Sequence, residues 1–250
     1  MIIPGLVSVS FRQKTPLEIA KLCEQAKLTA IEWGGDVHVP PTGANAQEIR
    51  RLSADYGLTL SSYGSYYRVT QPMDQLRACL DTAKELGTDV VRIWCGVKGS
   101  KDAEDERMQI VDSLLACCGE AQKLNLTLSL EYHGNTLTDD RESVQRLMKE
   151  TESVSDTLKF YWQPRFDWSG EQCLLSLDDV RPRLNHLHVF TWRFEDKRAV
   201  RLPLADGEAL WTKVLSSFAD DHYALMEFVE NDSDEALLRD AAVLNRWIGR

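Results

Sequence analysis

The sequence repeats one pattern along its length: a short aliphatic run, a polar turn, and a longer stretch with helical periodicity. This alternation is typical of parallel βαβ units, in which each helix returns the chain so that the next strand can lie beside the last. The 250 residues contain eight such units. The predicted strands are Leu6–Ser10, Ala30–Trp33, Leu58–Ser62, Val90–Trp94, Leu126–Glu131, Leu158–Gln163, Asn185–Phe190 and Tyr223–Phe228.

Two fold classes show this alternation. An open, doubly wound sheet usually carries a glycine-rich phosphate loop after its first strand, but here that position reads SFRQKTP. Eight units in about 250 residues is the usual size of a closed barrel. We therefore predict an α/β protein with a single (β/α)₈ TIM barrel domain over residues 1–250. Its active site is expected at the carboxyl ends of the strands, the mouth of the barrel.

Charge and composition exclude several functions. A formal net charge of −10 opposes binding to nucleic acid, because neutralising phosphates requires clustered Lys and Arg. No run of about 18 apolar residues is available to span a membrane. The start, MIIPGLVSVSF, lacks the basic segment and cleavage site of a secretion signal, and the six cysteines form no CxxC motif. These features predict a cytoplasmic protein with reduced thiols.

Alternation along the fifth strand indicates which side chains point into the barrel. In LTLSLEYHG, Leu128 and Leu130 share one face, whereas Ser129, Glu131 and His133 share the other. The apolar face should pack against the helices. Glu131 and His133 are therefore expected to point towards the axis near the mouth.

The next three strands also end in polar side chains. Gln163 ends the sixth strand, just before a proline that stops the ladder. His188 lies on the seventh strand and Glu227 at the carboxyl end of the eighth. The second and fourth strands add a carboxylate and a cation, Glu32 and Arg92.

Carboxylates that converge in a buried site are costly unless they are paired, and a divalent cation would offset the cost. An oxygen-rich site with one nitrogen suits Mn²⁺ or Mg²⁺, with Zn²⁺ open through the histidine. The predicted ligands are Glu131, Gln163, His188 and Glu227. Without a metal, Glu131 or Glu32 could instead pair with Arg92, and His188 could donate to a backbone carbonyl.

Five segments occur in an order and spacing that resemble a known family. They are IEWGGDVHVPP at 31–41, SLEYHGNTLTD at 129–139, YWQP at 161–164, HLHVF at 186–190 and MEFVEN at 226–231. The chain resembles the sugar phosphate isomerase/epimerase branch of the xylose-isomerase-like TIM barrel superfamily over nearly its whole length.

The resemblance implies one divalent metal held by Glu, Asp, His and Glu after the fifth to eighth strands. Carried over, these are Glu131, the position of Gln163, His188 and Glu227. Glutamine removes one negative charge from the expected set. Thr191 also stands where the family usually has an acid, three residues after the histidine. Both departures leave open a barrel with a degenerate metal site.

The resemblance also implies an isomerase or epimerase that acts on a small sugar or polyhydroxy carbonyl compound through an enediolate. Glu131 and Glu227 would remove and return the proton from opposite sides of the substrate. A dehydratase of a hydroxy keto acid and a noncatalytic ligand-binding barrel are the alternatives. A homodimer is left open. The expected substrate contacts are Trp33, His38, Arg92, His133, Arg165 and Arg193.

Overall fold

The computed structural model describes residues 1–165, 167–195 and 198–249. Eight parallel strands close into a barrel in the order β1-β10-β7-β6-β5-β4-β3-β2, and helices surround it. The predicted (β/α)₈ TIM barrel is confirmed. The barrel strands are β1 Ile2–Val7, β2 Ala30–Gly34, β3 Thr59–Arg68, β4 Val90–Trp94, β5 Thr127–Glu131, β6 Leu158–Trp162, β7 Leu184–Val189 and β10 His222–Met226.

Two further strands form an antiparallel pair outside the barrel, which the sequence analysis did not predict. They are β8, Thr191–Glu195, and β9, Arg198–Leu202, and they follow β7 directly. The helices are α1 Pro16–Ala26, α2 Ala46–Asp55, α3 Met73–Leu86, α4 Arg107–Lys123, α5 Arg141–Glu150, α6 Gly170–Val180, α7 Glu208–Ser216 and α8 Asp234–Trp247.

Helix α1 shows how the sequence sets these boundaries. Thr15 accepts a hydrogen bond from the Glu18 amide, and the Glu18 side chain accepts one from the Thr15 amide, so the predicted capping box is present. Pro16 occupies the first helical position, where its missing N–H costs nothing. Helix α3 ends at Gly87, whose φ of 89° is a conformation that glycine adopts without strain.

The prediction for the first strand was wrong in position. Strand β1 spans Ile2–Val7, whereas Ser8–Phe11 form a short 3-10 turn. The hydroxyl of Ser8 accepts a hydrogen bond from the Gly34 amide at 2.8 Å, and that of Ser10 accepts one from the Phe228 amide at 2.9 Å. These two serines therefore join the first loop to the ends of neighbouring strands instead of extending the ladder.

Strand β3 differs from the prediction mainly at its carboxyl end. The predicted strand stopped at Ser62, but the observed one continues to Arg68, with a register shift against β4 between Gly64 and Arg68. The extension places Tyr66 and Arg68 opposite the end of β4.

The apolar core lies between the barrel and the helices. Leu128 and Leu130 on β5 are fully buried there, as the alternation along that strand predicts. All six cysteines are buried and free. Among the described residues, the helices are too short or too polar to cross a bilayer.

Candidate active site

Arg92 lies at the centre of the polar interior below the mouth. Its side chain is only 2% exposed, and its Nε donates to Glu32 Oε1 at 2.9 Å. Its Nη1 donates to Glu131 Oε2, so one guanidinium joins the carboxylates of β2 and β5. Ser62 on β3 donates to the other oxygen of Glu32 at 2.8 Å. The pairing of Arg92 with Glu32, one of the alternatives left open by the sequence, is therefore present.

Glu131 is held by two donors on β4. In addition to Arg92, the indole Nε1 of Trp94 donates to Glu131 Oε2 at 2.6 Å. Burial is the largest single influence and favours the neutral form of this carboxyl group, but the charge of Arg92, nearby histidines and the Trp94 hydrogen bond together outweigh burial. They lower the pKa of Glu131 to about 2. Glu131 is consequently ionised at neutral pH, with Oε1 left to face the barrel axis.

His188 on β7 lies where the acidic side chains meet. Its Nδ1 is 2.9 Å from Gln163 Oε1, 3.3 Å from Glu227 Oε2 and 3.9 Å from Glu131 Oε1. Burial alone would lower the pKa of His188, but the nearby Glu227 carboxylate helps to raise it above its ordinary value. Its Nε2 is buried without a hydrogen-bond partner among the residues that the structure describes.

The arrangement fits a divalent cation. Glu131, His188 and Glu227 each offer a ligand atom within 4.8 Å of the others, and all three side chains are buried. We call these three residues and Gln163 the ligand cluster. The buried carboxyl groups of Glu32, Glu131 and Glu227 outnumber the one guanidinium among them, that of Arg92. A divalent cation would offset the cost of burying several acidic groups together.

His133 lies beside this cluster with a defined tautomer. Its Nδ1 is 2.6 Å from the Gly134 carbonyl oxygen, which can only accept, so Nδ1 carries a hydrogen, and in the neutral imidazole the lone pair is on Nε2. The imidazole stacks against Trp94 with ring centroids 5.2 Å apart. His133 is partly exposed, so Nε2 is a potential proton acceptor at the mouth.

Besides Glu131, the indole of Trp94 contacts Tyr66 and Arg68. Tyr66 makes an edge contact with its ring at 5.1 Å, and the guanidinium carbon of Arg68 lies 4.3 Å from the indole centroid. No role was predicted for Tyr66 or Arg68, because the predicted third strand ended before both of them. Tyr66 and Arg68 are two residues apart in SYGSYYR, so a strand that continues past Ser62 carries both to the mouth on the same face. This spacing was the signal that the sequence offered.

Two of the expected substrate contacts, Trp33 and His38, lie away from the ligand cluster. The Trp33 indole is fully buried and donates to the hydroxyl of Ser53 in α2 at 3.0 Å, on the helix side of β2. Both ring nitrogens of His38 lie at hydrogen-bond distance from the first loop: Nδ1 is 2.9 Å from Ser8 Oγ and Nε2 is 3.2 Å from the Lys14 carbonyl. Trp33 therefore joins β2 to α2, whereas His38 supports the first loop.

The two remaining arginines, Arg165 and Arg193, each have a carboxylate partner close in sequence. Arg165 pairs with Asp167 at 2.6 Å and donates to the Asp139 carbonyl, which joins two loops. Arg193 is exposed on β8 and pairs with Glu195 at 2.9 Å. The structure shows neither of them in contact with the ligand cluster.

Fold and site define a class of protein: a (β/α)₈ barrel with a buried carboxylate and histidine cluster at the carboxyl ends of its strands. The family model described as xylose isomerase-like TIM barrel matches residues 20–247, and the chain belongs to that family. The predicted superfamily is thereby confirmed.

Individual relatives differ in their reactions. The chain is 27% identical over 215 residues to a 3-dehydroshikimate dehydratase of Bacillus anthracis, a match that covers 79% of this chain and 74% of the relative. The structure of AsbF, a probable 3-DHS dehydratase of the same organism, has a TM-score of 0.80 at 21% identity and covers 98% of this chain and 99% of its own. D-psicose 3-epimerase of Clostridium cellulolyticum, at 14% identity, has a TM-score of 0.68 and covers 98% of both chains.

Proposed function

We propose that this protein is a divalent-metal-dependent dehydratase that removes water from a small β-hydroxy carbonyl acid of the 3-dehydroshikimate type. The observation that carries the proposal is the convergence of Glu131, His188 and Glu227, whose ligand atoms lie within 4.8 Å of one another at the mouth. The similarity to a 3-dehydroshikimate dehydratase favours elimination over the isomerisation that the family resemblance implies.

The ligand cluster would hold the cation, with Gln163 contributing a neutral carbonyl oxygen. When bound, a divalent cation polarises a substrate carbonyl and stabilises the negative charge that develops when the adjacent C–H proton leaves. Arg92 and Trp94 both donate to Glu131, so they fix the position of its free oxygen. In this proposal Arg92 is a positioning residue and does not touch the substrate.

Dehydration requires a base for the proton beside the carbonyl and an acid for the departing hydroxyl group. Glu131 is poorly suited to either role, because its hydrogen bonds and a pKa of about 2 keep it ionised. We assign proton transfer to Glu227 and to His133, whose Nε2 is the proton acceptor in the neutral imidazole. The electrons of the broken C–H bond form the new C=C bond, the C–O bond breaks, and the hydroxyl leaves as water after it receives a proton.

The test is to incubate chelator-treated protein with 3-dehydroshikimate and added Mn²⁺, Mg²⁺ or Zn²⁺, and to follow the 3,4-dihydroxybenzoate formed by loss of water. Product should appear only with a cation, and Glu227→Gln and His133→Gln should each lower kcat by at least about a hundredfold. Glu235→Gln, an exposed acid on α8, is the matched control and should behave as the parent. Protein that binds the cation but forms no product would contradict the proposal.

Epimerisation or isomerisation of a small sugar is the second candidate. Glu131 and Glu227 both face Nδ1 of His188, at 3.9 and 3.3 Å, and two carboxylates beside one metal position are suited to removing and returning a proton. The structural likeness to a D-psicose 3-epimerase supports the same reaction type. Deuterium incorporation from D₂O into ketohexoses, without dehydration of the keto acid, would favour this candidate. If the metal binds and neither reaction occurs, a noncatalytic ligand-binding barrel is favoured.

A further inference from the structure

Arg68 at the carboxyl end of β3 is an arginine with unused hydrogen-bonding capacity. Its Nη1 donates to the Gly96 carbonyl at 3.1 Å. A guanidinium has five N–H donors, so most of its donors remain available. Among the residues that the structure describes, no carboxylate lies within ion-pair distance of Arg68, whereas other arginines around the barrel mouth are paired. Those paired arginines are Arg12 with Asp36, Arg92 with Glu32, Arg165 with Asp167 and Arg201 with Asp232.

The surroundings of Arg68 hold its guanidinium in place without neutralising it. The guanidinium carbon lies 4.3 Å from the centroid of Trp94, close enough for a cation–π contact, and the Gly96 carbonyl fixes one nitrogen. The side chain is only partly exposed, so its charge has lost part of its water. A partly dehydrated cation without a counter-ion is ready to bind an anion.

Arg68 also lies on the reacting side of the barrel. The Trp94 indole on which it rests donates to Glu131 at 2.6 Å. Burial lowers the pKa of Arg68, and the carboxylate that partly opposes this effect is Glu131, so the two charges lie within electrostatic reach. A ligand bound by Arg68 would therefore border the ligand cluster.

We propose that Arg68 binds the carboxylate of the substrate and makes the site selective for hydroxy carbonyl acids over neutral sugars. This inference rests on the proposed dehydration for the class of substrate. The planar guanidinium matches the two oxygens of a carboxylate, and bidentate pairing fixes orientation as well as position. With the carboxylate held at Arg68, the hydroxyl and carbonyl groups at the other end of a small acid extend towards Glu131 and His188.

The test compares two ligands that share adjacent hydroxyl groups and differ only in the carboxylate: 3,4-dihydroxybenzoate and catechol. Their affinities are measured by calorimetry on Mn²⁺-loaded parent, Arg68→Gln, Arg68→Lys and the control Arg77→Gln, which removes an exposed arginine on α3 that pairs with Glu120. The parent and Arg77→Gln should prefer the acid. Arg68→Gln should weaken binding of the acid about tenfold to a hundredfold, the range expected for charged hydrogen bonds, and leave catechol unchanged. The affinity of Arg68→Lys for the acid should lie between those of the parent and Arg68→Gln, because lysine keeps the charge but loses the bidentate geometry.

Unchanged catechol affinity shows that the variant site is folded, so a loss confined to the acid identifies the carboxylate contact. Equal binding of acid and catechol by the parent, or an Arg68→Gln variant that keeps the preference, would overturn the inference. If the parent prefers the acid through Arg68 but forms no product, the inference survives and the dehydratase proposal fails. If the parent dehydrates the acid and Arg68→Gln keeps both the preference for the acid and the KM, the dehydratase proposal survives and the inference about Arg68 fails.

Discussion

Gln163 Oε1 lies 2.9 Å from His188 Nδ1, the ring nitrogen that also faces Glu131 and Glu227. The glutamine therefore stands beside the two carboxylates, in the position where the family resemblance implies an aspartate. A neutral amide in this position leaves the cluster with one negative charge fewer. This difference should tune the affinity for a cation without removing the site.

Replacing that amide with a carboxylate should strengthen metal binding. We expect Gln163→Asp to lower the Kd for Mn²⁺ by about tenfold or more, because charge count among the ligands sets the affinity for hard cations. Calorimetric titration of chelator-treated protein measures the change. Gln109→Asp, on the exposed face of α4, adds the same charge elsewhere and should leave the Kd unaltered. Equal effects from both substitutions would refute a role for Gln163 in the cluster.

Removal of Arg92 should be strongly destabilising. The change Arg92→Met leaves Glu32 and Glu131 buried without their shared cation, and breaking a buried pair in this way costs about 3–5 kcal/mol. Urea unfolding of the metal-free protein measures the change in the free energy of unfolding. Arg193→Gln removes only an exposed ion pair and should cost less than about 1 kcal/mol. A loss from Arg92→Met as small as that from the control would contradict the buried network.

The carboxyl group of Glu131 predicts a specific dependence of stability on pH. Its pKa is lowered from 4.5 to about 2, so its contribution to stability is fully present above pH 4.5 and is lost as the pH falls towards 2. In chelator-treated protein, the stability difference between the parent and Glu131→Gln should therefore be largest above pH 4.5 and should narrow below it. Thermal melts between pH 7 and pH 3 measure this difference. A difference that grows as the pH falls would contradict the assignment.

Trp33 should matter for stability and not for ligand binding. The change Trp33→Phe removes the hydrogen bond to Ser53 and leaves a buried hydroxyl group with one partner fewer, so we expect a loss of about 1–2 kcal/mol in the free energy of unfolding. The affinity for 3,4-dihydroxybenzoate should remain that of the parent. A loss of affinity with unchanged stability would contradict this role and indicate that Trp33 contacts the substrate.

The sequence predicted the barrel and the ligand cluster because both follow from local periodicity. Eight repeats specify closure, and alternation along β5 turns Glu131 inward with Ser129. The same rule also bears on Trp33: it directly follows Glu32 on β2, and neighbouring strand residues face opposite sides, so both cannot point to the axis. Trp33 was assigned to the substrate from its place near the end of a strand and not from its parity.

Other features depend on contacts between distant segments, which periodicity does not encode. In the sequence, Ser8 and Ser10 continue the alternating pattern of the first strand. Their hydroxyl groups bind amides at residues 34 and 228, and the strand ends earlier. His38 was predicted to contact the substrate from its place in a loop, but both of its ring nitrogens contact the first loop, at Ser8 and Lys14. Arg68 became a candidate only when β3 was found to extend past Ser62.

We propose that Glu131, His188 and Glu227 form a divalent metal site. The most direct test is titration of chelator-treated protein with Mn²⁺, followed by electron paramagnetic resonance of the free ion, for the parent and the double variant Glu131→Gln, Glu227→Gln. The parent and Glu235→Gln should each bind one Mn²⁺ per chain, and the double variant should show no comparable binding. Absence of binding in the parent, or unchanged binding in the double variant, would contradict this proposal.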